Sequence, residues 1–150
     1  MYIGLGSNLG DRDANLAALR RELAAAGLEI FASSAVRETE PFGYVDQPKF
    51  LNQVVAGRWG GTPRSLFEAA KAAERKAGRV PGKRWGPRVA DADILFFGEL
   101  VLDEPDLQIP HAGLAERPFV LEPLAELAPE LRHPVSGRTV AELLADILDP

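Results

Sequence analysis

Strand-like and helix-like segments alternate along this chain in an order that admits few folds. Tyr2–Leu5 is a short apolar run that ends in a glycine-rich turn. Asp11 stands where a helix cap would, and Leu16, Leu19 and Leu23 recur at helical spacing until Gly27 stops the pattern. Residues 28–37 (LEIFASSAVR) read as a strand, and "ETEPFGYVDQPK" reads as a loop by its proline and glycine content. "FLNQVVAGRW" is the next strand, rich in β-branched and aromatic residues. After Gly60–Gly61, Thr62 caps a second helix with Pro63 at its first position and Leu66, Ala70 and Ala73 on one face. A long loop, "GRVPGKRWGPR", leads into the strand "ADADILFFG".

The resulting order is β-α-β-β-α-β. It predicts an α+β, ferredoxin-like core. The tail adds a loop ("QIPHAGLAERPF"), an apolar helical stretch from about Val120 and an amphipathic helix over Arg138–Leu148. With 150 residues and no linker or repeat, one domain over 1–150 is expected. The sequence has no apolar run of membrane-spanning length and no signal-peptide pattern at its start. The absence of cysteine excludes disulfides and thiolate metal sites, so a cytoplasmic location is the expectation.

The net charge is −5, but the signs are segregated. Residues 71–88 carry Lys71, Arg75, Lys76, Arg79, Lys83, Arg84 and Arg88 against the single acid Glu74. An acidic protein with one concentrated basic segment fits a compact anion better than a nucleic acid. The opening turn "GLGSNLGDR" is not the obvious place for that anion. A dinucleotide fingerprint needs G-x-G-x-x-G after a strand, and Gly4, Gly6 and Gly10 are spaced one residue too widely. Nor is the basic segment a P-loop: Gly78, Gly82 and Lys83 fall one residue short of that spacing, and Arg84 replaces the Ser or Thr.

The informative stretch is "RWGPRVADADIL". Asp91 and Asp93 lie two apart on the expected strand, which puts both carboxylates on one face, roughly 7 Å apart. Like charges so placed resist burial unless a cation sits between them. An oxygen donor set of this kind suits Mg²⁺, which commonly takes one or two carboxylates together with water and substrate phosphates. Alone, the pair reads equally as solvent-facing acids at a strand start. Directly upstream lie Arg79, Lys83, Arg84, Trp85 and Arg88, and guanidinium forks match phosphate oxygens. Mg²⁺ with Arg and Lys clamps is the recurring apparatus of phosphoryl transfer; a solvated basic loop is the competing reading.

Phe50 and Asn52 alternate on one face of the third strand, where an amide beside an aromatic ring can read a heterocycle's edge while the ring stacks. His111, Arg117 and Phe119 fall close together in the tail loop. Phe50 and Phe119 read equally as core, and His111 as a loop histidine with local partners. Asn52 within an apolar strand requires partners for its amide.

Taken in order and spacing, "YIGLGSNLGDR", "FLNQVV", "RWGPRVADADIL" and "IPHAGLAERPFVLEPLAELAPE" resemble the 6-hydroxymethyl-dihydropterin pyrophosphokinases of folate biosynthesis, over nearly the whole chain. The resemblance implies transfer of pyrophosphate from ATP to the pterin hydroxymethyl group, leaving AMP. By position, it implies that Asp91 and Asp93 hold two Mg²⁺ ions on the ATP phosphates. It implies phosphate contacts from Arg79, Arg88, His111 and Arg117, a place for Glu74 in the nucleotide site, and a mobile-loop role for Trp85. Thr39 and Asn52 are then expected to hydrogen-bond the pterin between Phe50 and Phe119, with Gly4 and Gly6 giving the ring access to backbone. Three positions depart from the family pattern: Pro81 replaces a further arginine in some members, Ala112 follows His111, and Phe50 stands where a Tyr occurs.

The expected chemistry is direct in-line attack by the pterin hydroxyl on the β-phosphorus, since no Cys or Ser–His pair offers a covalent route. Asp93 is the candidate acceptor for the hydroxyl proton. The 79–88 loop is expected to act as a lid. Two other classes compete: an RNA-binding ferredoxin-like module, which would need exposed sheet aromatics with basic flanks, and a Mg²⁺-dependent nuclease, which would need more acidic ligands and a basic track. The expected partners are the two small substrates only, with no nucleic acid or membrane, and a monomer is expected ahead of a dimer.

Overall fold

The structure is a computed structural model and describes residues 1–40, 48–78 and 90–148. Strand β1 (Tyr2–Ser7) buries Ile3 and Leu5 on one face and presents Gly4 and Gly6 on the other. Helix α1 (Arg12–Ala25) begins where Asp11 accepts a hydrogen bond from the Ala14 amide at 3.1 Å, and it buries Leu16, Leu19 and Leu23. It ends at Gly27, whose φ of +116° is open to glycine at little cost.

The segment expected as one strand over 28–37 is two. β2 (Glu29–Ser33) and β3 (Arg37–Thr39) are separated at Ser34. There the Val54 amide donates to the Ser34 side-chain oxygen at 2.9 Å, and the Gln53 amide nitrogen donates to the Ser34 carbonyl at 2.8 Å. A serine side chain that takes over a ladder hydrogen bond lets the backbone turn away from the strand path. Both pieces pair with the long strand β4 (Phe50–Arg58).

Helix α2 (Pro63–Lys76) is capped by Thr62, which accepts from the Ser65 amide at 3.1 Å, with Pro63 in its first turn. β5 (Asp91–Phe96) then pairs with β1. The sheet order is β2-β4-β1-β5 and every pairing is antiparallel. In the tail, the residues read as a loop include part of a hairpin, β6 (Leu102–Glu104) with β7 (Leu107–Ile109). Three-residue strands are too short to show a period, which is why the sequence hides them. Helix α3 (Pro118–Leu127) starts on Pro118, two residues before the expected point. α4 (Val140–Leu148) starts after Arg138 because Thr139 is its cap: Thr139 accepts from the Glu142 amide while Glu142 accepts from the Thr139 amide.

α1 and α2 pack Leu16, Leu19, Leu23, Leu66 and Ala70 onto Ile3, Leu5, Val55, Ala92 and Ile94. α3 and α4 pack Leu121, Leu124, Val140 and Leu143 onto the opposite face, against Val54, Leu95 and Phe96.

Candidate active site

Strand alternation decides what stands on the exposed end of the sheet. Ala92 and Ile94 are buried beneath α1 and α2, so Asp91 and Asp93 project from the other face, both half-buried. Across β1, Asp93 pairs with Gly4 and Asp91 with Gly6. On its other side Gly6 pairs with Asn52 of β4, and Phe50 and Thr39 pair with each other on the next rung. Directly paired residues share a face. Asn52, Gly6 and Asp91 therefore form one row across three strands, spanning about 10 Å at the usual inter-strand spacing.

Gly6 makes that row a pocket floor. A Cβ there would lie 3.2 Å from Asn52 Oδ1 and 3.6 Å from Phe50 Cδ1, so a side chain would crowd both groups. The Asn52 amide nitrogen donates to Thr39 Oγ1, which fixes the amide plane and leaves Oδ1 beside Gly6. The turn after β1 is anchored on its own account. Asn8, buried, donates to the Pro48 carbonyl at 2.9 Å, and Arg12 donates to the Lys49 carbonyl at 2.9 Å.

His111 follows β7, and its amide donates to the Leu95 carbonyl at 3.0 Å, tying it to β5. Burial lowers the affinity of its imidazole for a proton; the Asp93 carboxylate opposes that shift and Arg117 adds to it. The ring is thus held toward the neutral form, with Nδ1 accepting from the Gly113 amide at 3.2 Å. Arg117, just before α3, folds back over Gly113: a Cβ at Gly113 would lie 2.7 Å from Arg117 Nε. Phe119 sits half-buried in the first turn of α3.

A cleft of about 310 Å³ opens beside Asp93 and His111. Phe67 and Lys71 of α2 form one wall, Ala92 and Ile94 the back, and residues 105–108 of the hairpin the other wall. Glu74 does not open into it. Its side chain is 3% exposed, Oε2 accepts from the Ala92 amide at 2.8 Å, and Oε1 lies 3.3 Å from the Lys71 ammonium. A buried acid thus holds the free edge of β5 between the two aspartates.

Arg79, Trp85 and Arg88, with Lys83 and Arg84, lie outside the described residues. Sequence reasoning missed Arg64, Phe67 and Lys71, at i, i+3 and i+7 along α2, of which Phe67 and Lys71 line the cleft, and it missed Gly113. The helical spacing of the first three was visible; the hairpin they face was not.

The fold is shared with solved structures. One described as Plasmodium falciparum HPPK-DHPS wild type with SDX-DHP superposes with a TM-score of 0.72 at 18% identity, over 97% of this chain and 43% of that one. The likeness is one of fold, here an antiparallel sheet with helices packed on both faces. The sequence carries the assignment further: residues 2–129 match the family model of 7,8-dihydro-6-hydroxymethylpterin-pyrophosphokinase (HPPK). The 2-amino-4-hydroxy-6-hydroxymethyldihydropteridine pyrophosphokinase of Methylorubrum extorquens is 46% identical over 99% of this chain and 93% of its own length. Its namesake in Pseudomonas aeruginosa is 45% identical over 97% and 90%. The chain belongs to the HPPK family.

Proposed function

We propose that this protein transfers the terminal pyrophosphate of ATP to the hydroxymethyl group of 6-hydroxymethyl-7,8-dihydropterin, giving AMP and the pterin diphosphate. The observation that carries the reading is the row Asn52, Gly6, Asp91: a heterocycle-reading amide and a carboxylate share one face, separated by a glycine. A pterin seated on Gly6, hydrogen-bonded by Asn52 and Thr39 and stacked between Phe50 and Phe119, presents its hydroxymethyl group toward Asp91 and Asp93. The cleft beside Asp93 and His111 takes the nucleotide, its volume falling at the lower end of the small-ligand range.

Asp91 and Asp93 are the residues that hold magnesium. Among the described residues no cluster of three or more acids or histidines forms a preassembled cage. That donor set fits Mg²⁺, which takes few protein ligands and completes its shell with water and phosphate. Two bound Mg²⁺ ions supply charge neutralisation on the triphosphate. His111, Arg117, Arg79 and Arg88 bind phosphate oxygens, and Trp85 covers the site. Glu74 serves the nucleotide site from behind, by fixing Ala92 and with it the aspartates on either side.

The hydroxyl oxygen attacks the β-phosphorus in line. The new O–Pβ bond forms as the bond from Pβ to the α-phosphate oxygen breaks and AMP leaves; Asp93 receives the hydroxyl proton. The chain works as one catalytic domain with a ferredoxin-like core, in the cytoplasm, as a monomer acting on two small substrates. No helix among the described residues is long and apolar enough to cross a membrane.

Product analysis tests the reading. Incubated with ATP, Mg²⁺ and the pterin alcohol, the protein yields AMP and a pterin diphosphate in equal amounts, and neither without the pterin. ADP and a pterin monophosphate, or AMP release that ignores the pterin, refute it.

A further inference from the structure

The outer wall of the nucleotide cleft is a hairpin rooted in the core through Leu107 and Ile109. β6 and β7 pair over three residues each, and a short two-stranded ribbon is marginal in water. Its tip, Glu104 to Gln108, nonetheless lines the cleft through Pro105, Asp106, Leu107 and Gln108. Apart from Leu107, which is buried in the core, the tip is tied to α2 by Arg64 in that helix's first turn. Its guanidinium donates from Nη1 to Asp106 Oδ2 at 2.7 Å and from Nη2 to Glu104 Oε1. Its Cζ also lies 5.4 Å from the centroid of Phe67, a residue of the opposite wall.

We propose that Arg64 is a positioning residue for the nucleotide: its fork joins the polar end of the hairpin tip to α2 beside Phe67 and so sets the width of the space between the two walls. The inference rests on the nucleotide reading of the cleft and goes beyond it, since Arg64 lines no part of the cleft and touches no reacting atom. Arginine suits the task because one planar group reaches two carboxylates and an aromatic face at once. The contact also neutralises two acids beside a cleft that must admit a polyanion; hydrogen bonding to Arg64 holds the Asp106 carboxyl below its ordinary value. The bridges are partly exposed, with Arg64 at 39%, so each is individually weak.

The test is calorimetric titration of a non-hydrolysable ATP analogue with Mg²⁺, alongside steady-state kinetics. Two solvent-exposed pairs and one cation–ring contact predict that Arg64→Ala weakens analogue binding, and raises KM for ATP, by about three- to tenfold. KM for the pterin and kcat stay at the wild-type values. Arg64→Lys, which reaches one carboxylate at a time, falls between the two. The double variant Arg64→Ala/Glu104→Gln, which changes no residue of the cleft lining, remains weak, because the wall is still untied. Full recovery in the double variant overturns the positioning role, since the single variant then suffered only from unbalanced charge. Equal fall in kcat and rise in the pterin KM overturns it too, as does an Arg64→Ala protein that binds like wild type. A wild-type protein that binds no ATP analogue overturns the nucleotide reading itself, which separates the two failures.

Discussion

Glu74 offers the sharpest test of how the fold serves the site. Replacing it with alanine leaves the buried Ala92 amide without the acceptor now 2.8 Å away and opens a void beneath β5. An orphaned buried amide costs about 1–3 kcal/mol, and the lost packing brings the total to roughly 2–4 kcal/mol. Lys71 adds little, because its ammonium is exposed enough to rehydrate. For a chain of this size each kcal/mol moves the melting temperature by roughly 2–4 °C, so Glu74→Ala melts about 5–15 °C lower. Glu74→Gln keeps the shape and an oxygen able to accept from Ala92, so it loses less than the alanine variant. Urea unfolding of the three proteins, followed by circular dichroism, reads the difference directly. Equal midpoints for wild type and Glu74→Ala refute the reasoning. So does a Glu74→Gln protein as damaged as the alanine variant, which would make the charge, not the hydrogen bond, the source of stability.

Other outcomes follow from single contacts. Gly57→Ala would drive a Cβ to 2.8 Å from the Glu29 carbonyl oxygen and 2.9 Å from Leu28 Cδ1, so it costs about 1–3 kcal/mol in unfolding experiments without touching the site. Gly6→Val pushes on Asn52 and Phe50 and raises the pterin KM by about tenfold or more in steady-state kinetics, with KM for ATP little changed. Both histidines, His111 and His133, have proton affinities lowered by burial from the ordinary value of 6.5. The unfolded chain therefore binds protons more readily than the folded one, and stability falls as pH drops below about 6.5 until the folded-state values are passed. A His111→Gln/His133→Gln variant flattens that dependence in melting curves between pH 7.5 and 5.5; an unchanged slope contradicts the assignment.

The parts of the fold that announce themselves in the sequence are those fixed by local chemistry. Asp11 and Thr62 cap their helices, Gly27 ends one, and the period of two places Asp91 and Asp93 together. The strand broken at Ser34 was hidden because its break depends on Gln53 and Val54, partners 19 and 20 residues away. The hairpin over 102–109 was hidden because its three-residue strands show no period and are held by distant parts of the chain, Leu107 and Ile109 by the core and Glu104 by Arg64, 40 residues away in sequence. The same distinction runs through the site. Asn52 and the aspartates were legible as polar residues in apolar strands, whereas the common row of Asn52 and Asp91 with Gly6 exists only through register. Glu74 was legible as the lone acid in a basic segment, but its burial behind β5 depends on how α2 packs across the sheet.

The central claim is that Asp91 and Asp93, delivered together to one face of the sheet, carry the magnesium on which pyrophosphate transfer depends. AMP formation from ATP and the pterin, followed against Mg²⁺ concentration in wild type, Asp91→Ala and Asp93→Ala, tests it most directly. The account predicts saturation by Mg²⁺ in the wild type and a loss of at least about a hundredfold in either variant, as removal of a charge-stabilising group from a reaction centre produces. Wild-type rates and an unaltered Mg²⁺ curve in the Asp93→Ala protein would contradict it.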